Sequence, residues 1–402
     1  MKHLTCKSLS LAVMALTLTA AAWAQTETIA YSFTGGSDGG YPQGGLVVDS
    51  KGNLYGTTES GGSSSAGTVF ELTPNSSGGW TEQVLYSFTG FMGTGDGDLP
   101  FAGLVLDSKG NLYGTTLSGG TSFNGTVFEL SPGSNGTWTE KIIYNFTGGA
   151  DGGSPQQSTL TLDSSGNLYG TTVSGGAYGE GSVFELTEGK SGTWTQKILH
   201  SFTGGNDGYL PFGSSLIFDG AGNLYGSTTG GGTHDYGVIF KLTPGTGGAW
   251  TEKVLYSFTG VGGVTGPLGS LLFDSKGNIY GTGFDVFELS PGSNGIFTEK
   301  DLHFFSGDPD GAYPESGVIS DSKGNLYGTT NTGGAHRGTV YELSPGSNGS
   351  WTEKVLHRFS ATGGDAVYPY LAPLVMDAQG HLYGTTSAGG SSNFGAVYEV
   401  TP

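Results

Sequence analysis

Apolar and polar residues alternate along this chain in short runs, and glycine, proline, serine or asparagine breaks each run. Alternation over four to eight residues predicts half-buried strands. Past the N-terminal leader, no window shows the 3.6-residue apolar period of an amphipathic helix. Between Ala102 and Gly149 the runs read "AGLVLDSKG", "NLYGTTLSGG", "GTVFELSPG" and "TWTEKIIYNFTGG", which predicts four strands. "DSKGN" predicts a tight hairpin joining the first two, with Asp107 accepting turn amides and Gly110 free to take a positive φ. "SPGSNGT" predicts the turn before the fourth, with Pro132 where no ladder donor is needed. Strict alternation along "WTEKIIYNF" places Trp138, Glu140, Ile142, Tyr144 and Phe146 on one face, and Phe128 and Leu130 share a face of "VFEL".

This four-strand unit is written seven times. The Leu or Ile of the phrase "LYG" falls at Leu54, Leu112, Leu168, Leu224, Ile279, Leu326 and Leu382, with spacings of 58, 56, 56, 55, 47 and 56. One such unit cannot bury both its faces, but neighbours in a ring can. The expected fold is therefore all-β, a seven-bladed β-propeller of four-stranded blades. The ends of the chain fit a closed ring. "TETIAYSFTGG" matches a fourth strand and the final "GAVYEVTP" a third. Thr26 to Phe33 should pair antiparallel with Gly395 to Thr401, complete the last blade and hide its edge.

The phrases carry a resemblance. "GLVLDSKGNLYGTT" followed by "GTVFEL" resembles the start of NHL-type propeller blades. Leu54 to Thr58, Gly61-Gly62 and Gly67 to Pro74, recurring in order in six of seven units, resemble the Gloeo-Verruco (GloVer) tandem-repeat proteins. Blade five departs, since "IYGTGFDVFELSP" has lost its "SGG" stretch. The resemblance implies a secreted or surface protein, often with a C-terminal anchor. A chain ending at Pro402 without one implies a released form. No catalytic residues come with the family.

The leader agrees with export. Lys2 and Lys7, the apolar run Leu9 to Ala22 and the small-residue site at Ala22-Trp23-Ala24 predict a secretory signal peptide over residues 1–24, cleaved near Ala24. Residues 25–402 would then be one propeller domain, periplasmic or extracellular, monomeric and not membrane-spanning. Cys6, the single cysteine, would leave with the leader, so no disulfide is expected. Cleavage removes two of 15 basic residues and none of the 34 acidic ones, giving 13 − 34 = −21. Such a chain repels nucleic acid, and Arg337 and Arg358 are its only arginines.

Candidate chemistry is sought where the repeat breaks. The hairpin aspartates Asp49, Asp107, Asp163, Asp219, Asp274, Asp321 and Asp377 occur in every unit and read as turn residues. Glu71, Glu129, Glu185, Glu288, Glu342 and Glu399 occupy the third strand in six units, where lysines such as Lys141 could pair across the ladder. His200, His303 and His357 replace the tyrosine of "YSF" and read as packing or rim substitutions. The blade connectors carry Asp38, Asp96, Asp98, Asp151, Asp207, Asp308, Asp310 and Asp365 on glycine-rich loops. Asp96, Asp98, Asp308 and Asp310 are the best oxygen ligands for calcium, although Asp-Gly turn chemistry explains them more simply and folding should need no metal.

Blade five has lost most of its second-to-third-strand loop, and the connector before it, "TGVGGVTGP", has no aspartate. That sector should be low and uncharged. The flanking loops "GGTHDYG" and "GGAHRG" bring His234, Asp235, Tyr236, His336 and Arg337 to its edges. A notch so walled could hold a sugar, and plain loop drift would leave the same residues there. With no established catalytic motif, the expected role is a non-enzymatic binding module, with cell-surface or extracellular glycan as partner. The alternative is a propeller lyase or hydrolase acting on an extracellular polysaccharide or another substrate.

Overall fold

The computed structural model describes residues 27–90, 95–157, 159–213, 215–260, 266–293, 295–334 and 337–402. The leader expected over residues 1–24 lies outside them. Seven antiparallel four-stranded sheets follow one another around an axis. In the second blade the strands are Val105–Leu106, Leu112–Thr116, Thr126–Pro132 and Trp138–Asn145, lengthening from two to eight residues outward. The last blade takes Val375–Met376, Leu382–Thr386 and Ala396–Val400 from the C-terminal end and Glu27–Ser32 as its outer strand. Glu27 faces Val400 and Ser32 faces Ala396. The ring closes as the sequence leads one to expect.

The glycine of the repeated phrase is there for close approach. A Cβ on Gly114 would fall 2.5 Å from the Phe128 ring, and Gly56 and Gly170 meet Phe70 and Phe184 in the same way. These rings are fully buried and form clusters shared by two adjacent blades. Such a phenylalanine is worth about 3–5 kcal/mol against alanine; five blades repeat the arrangement, and Tyr341 and Tyr398 take the place of the ring in blades six and seven. The hairpin aspartates are turn residues as expected. Asp107 accepts the amides of Lys109 and Asn111 at 2.8 Å each, and Gly110 takes φ +89°.

Two expectations about the outer strand fail. Its alternation is broken by a bulge, since Phe128 faces Ile142 while Val127 faces Tyr144. Ile143 is the extra residue, and it reverses the faces beyond it. Trp138 and Ile142 pack towards blade one, whereas Ile143, Tyr144 and Phe146 pack towards blade three. Lys141 does not reach Glu129. Its Nζ donates to the Gly192 carbonyl in the turn of the next blade at 2.9 Å. Lys197, Lys253 and Lys300 donate likewise to Gly248, Gly295 and Gly349, and Gln83 to Gly136 at 3.2 Å. Cross-ladder ion pairs do occur at Lys197–Glu185, 3.9 Å, and Lys354–Glu342, 4.0 Å.

The axis is shut. A Cβ on Gly44 would stand 2.6 Å from the Ala102 carbonyl oxygen, and one on Gly103 2.8 Å from that of Gly45. Only about 10 Å³ remains between Gly44, Gly103, Gly213 and Pro373, barely the space of one water.

Candidate functional site

Two kinds of loop share one face of the ring. Isolated bridges join five of the blade connectors to a second-to-third-strand loop, as Gly40 to Ser60, Asp98 to Ser118 and Ala312 to Thr332, and in blade seven Ala366–Val367 pairs with Ala388–Gly389. This connector face collects the exposed apolar side chains. Of eight large ones among the described residues, Phe123, Tyr178, Leu210, Tyr236, Phe284, Phe304 and Tyr313 lie on it, and only Ile296 lies opposite. The opposite face has interblade grooves of about 570, 640 and 430 Å³. Their walls include hairpin aspartates, such as Asp107, whose oxygens are already engaged by their own turns.

Around blade five the residues spread apart. Tyr236 lays its ring over Gly260, Asp235 accepts the Gly231 amide at 2.9 Å, and His234 Nδ1 pairs with the Thr233 hydroxyl at 2.9 Å. Arg337 turns the other way, onto the Tyr368 ring at 5.1 Å, and donates to its hydroxyl. His336 lies outside the described residues. The sector also holds a buried carboxyl that the sequence reading left out. Asp285, only 1% exposed, stands where other blades carry threonine, serine, valine or alanine, and neither of its carboxylate oxygens has a hydrogen-bond partner among the described residues. Burial, then the charge of Asp301, pushes it up to about 8. Sequence reasoning also missed Phe284, the residue left by the loop deletion. It packs on Tyr313 at 5.4 Å, and both rings are partly exposed. The signal was present in "GTGFDVF", an aromatic residue in a shortened turn.

The connector aspartates are anchors. Asp96 accepts the Thr89 hydroxyl at 2.7 Å and the Tyr86 hydroxyl at 2.6 Å. Asp310 accepts the Ser306 hydroxyl at 3.0 Å, and Asp98 lies 3.5 Å from the Ser118 hydroxyl. Asp308 is in the same connector as Asp310. The three histidines do more than fill space, since His200 meets Asp207 at 3.2 Å, His303 meets Asp310 at 3.4 Å and His357 meets Asp365 at 3.6 Å.

Opposite each anchor stands a residue of the next outer strand. In blade three it is Gln196, which accepts from Tyr144 at 3.1 Å and donates to the Asp151 carbonyl at 2.7 Å. Elsewhere it is glutamate. Glu82, Glu140 and Glu252 are pushed up to about 7, by burial and then by the aspartate opposite. An amide fitting the same seat agrees with a glutamate that keeps its proton.

This belt sets a pH dependence. A carboxyl that titrates near 7 when folded and near 4.5 when unfolded binds its proton more tightly in the folded state. That stabilisation is complete below the unfolded pKa and is lost as pH rises through 7. Burial shifts His200 and His303 down, so their contribution runs the other way and fades as pH falls below 6.5. Glu27 is pushed up to about 7 in the same way, by burial and then by Asp365, and these four glutamates with Asp285 outweigh two histidines. The melting temperature should therefore be higher near pH 5.5 than near pH 8.5. A thermal scan across that range checks it, and a flat or rising curve would contradict the assignment.

The fold defines the class, a seven-bladed β-propeller closed by its N-terminal strand. The profile of the Gloeobacter/Verrucomicrobia repeat matches residues 15–221, 83–285 and 285–402, and the chain belongs to that family. Two solved structures from B. thetaiotaomicron are similar in fold. One is the extracellular domain of a one-component system, at 14% identity and TM-score 0.56, matched over 90% of this chain and 40% of its own. The other is described as the extracellular domain of a hybrid two-component system, at 12% identity and TM-score 0.54, matched over 93% and 39%. The chain thus spans about two fifths of their length. No curated protein matches it. No helix among the described residues is long and apolar enough to cross a membrane.

Proposed function

We propose that this protein is an exported, non-enzymatic binding module whose connector face takes up extracellular glycan. The observation that carries this reading is the gathering of seven of eight exposed large apolar side chains on one face. Phe284 and Tyr313 are the pair in contact among them, and exposed rings on the loops of one face offer a surface for recognition. Aromatic rings flanked by turn carbonyls and hydroxyls suit the mixed apolar and hydroxylated faces of a sugar. The formal charge of −19 argues for neutral rather than anionic glycan. The narrow axis among the described residues favours the faces as places for a ligand. The extracellular setting of the two similar structures supports export.

A screen of the purified protein against neutral and anionic glycans, with and without calcium, tests the reading. Binding to neutral sugars without turnover is expected. The double substitution Phe284→Ala and Tyr313→Ala should weaken it by about tenfold or more, as the loss of buried aromatic contacts does. A triple alanine variant at His234, Tyr236 and Arg337 asks whether the walls of the notch take part. Cleavage of a polysaccharide would favour the lyase or hydrolase alternative, and failure to bind any glycan would end the proposal.

A further inference from the structure

Histidine replaces tyrosine at three of the seven interblade seats, and the last of these differs in its chemistry. Asp38, Asp96, Asp151, Asp207 and Asp310 each give Oδ1 to a hydroxyl of their own loop, from Thr34, Thr89, Thr147, Thr203 and Ser306. Asp365 does not. It lies six residues past Phe359, whereas Asp38, Asp151, Asp207 and Asp310 lie five past Phe33, Phe146, Phe202 and Phe305. With the extra residue, the Ser360 hydroxyl pairs within the loop with Thr362 at 3.3 Å, and only the Ser360 amide holds Asp365, through Oδ2 at 2.7 Å. Asp365 Oδ1 is left over.

Two more atoms are left over beside it. Asp365 Oδ1, His357 Nε2 and Glu27 Oε1 are buried, and none has a hydrogen-bond partner among the described residues. The ligand atoms these three residues offer all lie within 4.8 Å of one another. The separation of 3.6 Å between His357 Nε2 and Asp365 Oδ1 is near the edge, about 3.4 Å, of a tetrahedron with bonds of about 2.1 Å. Among the described residues, no other group of three His, Cys, Asp or Glu converges in this way. At the neighbouring seat His303 Nε2 and Glu353 Oε1 are unpartnered as well, so what sets this seat apart is Asp365 Oδ1 and the convergence of the three residues, which a cation would satisfy together.

We propose that Glu27, His357 and Asp365 bind a divalent transition cation of the zinc class. One imidazole and two carboxylates suit zinc, whereas calcium gathers six to eight oxygens and has little use for nitrogen. Three protein ligands leave a fourth position for water. Glu27 belongs to the closing strand, His357 to the outer strand of blade six, and Asp365 to the connector between. The ion would fasten the closing strand to the neighbouring blade, and its binding energy would add to the stability of the closed ring.

The test uses the full chain, stripped with chelator and titrated with zinc by calorimetry, with a thermal scan alongside. One equivalent of zinc and a higher melting temperature are expected. Cobalt should give the visible absorption of a tetrahedral site. His357→Tyr installs the residue that Tyr31, Tyr86, Tyr144 and Tyr256 supply at the same seat, so packing should survive. It should cost about a hundredfold or more in affinity and abolish the thermal gain. His200→Tyr should change neither. A wild-type chain that binds no zinc overturns the proposal, and so does a folded His357→Tyr variant that binds as tightly as wild type.

Discussion

Removing residues 25–34 is expected to lower the melting temperature by roughly ten degrees or more and to promote association. Those residues include the whole outer strand of the last blade, Glu27–Ser32, together with Phe33. Phe33 is fully buried and packs edge-on against Phe70 of blade one at 5.0 Å. The deletion opens the cluster that joins the last blade to the first, which also holds Leu46, Leu54, Leu72 and Val397. It also strips the ladder from Ala396–Val400 and leaves an unpaired edge, a template for another chain. Thermal scanning and gel filtration read the two effects. A shortened chain as stable and as little associated as the parent would show that the ring is held elsewhere.

Asp285→Val is expected to stabilise the protein, by about 1–3 kcal/mol above pH 9 and by much less near pH 6. Val238 occupies the equivalent position in blade four and is fully buried, so the site accepts the side chain. The substitution removes a buried carboxyl whose oxygens make no close hydrogen bond, together with the repulsion from Asp301 and the proton the two carboxyls can share below about pH 8. The pH dependence follows from the raised pKa. Below about 8 the carboxyl keeps its proton and costs less, and above 8 a buried charge must be carried. Denaturant curves at the two pH values decide the matter. A destabilised variant, or a gain independent of pH, would mean that Asp285 has a partner worth keeping.

Most of the fold was legible because blade packing imposes the same demand seven times. Asp107 across its hairpin and the pairing of Glu27–Ser32 with Ala396–Val400 follow from period and register, whereas the approach of Gly114 to Phe128 needed the structure. The bulge at Ile143 was not legible. Alternation says which residues share a face only while the ladder stays regular, and "KIIYN" looks regular. Lys141 misled for a related reason, since strand register names the neighbour across the ladder and not the turn of the next blade. The candidate site was harder still. Sequence located the anomaly in blade five, but the direction of Arg337 and the pairing of Phe284 with Tyr313 depend on loops that share no repeat. The trio of Glu27, His357 and Asp365 spans 338 positions (365 − 27), and no spacing rule brings it together.

The reach of Gln83, Lys141, Lys197, Lys253 and Lys300 into the following turn gives the circumference a polarity. Each blade holds the next, like overlapping shingles. Lys354 of blade six should continue the series but pairs within its own blade with Glu342. It has no turn to reach, because the third and outer strands of blade seven come from opposite ends of the described chain. The shingling therefore stops at a seam. Heat or tension applied to the ring meets interlocked rim contacts along five joints, and on the two sides of blade seven it meets the apolar clusters without them among the described residues.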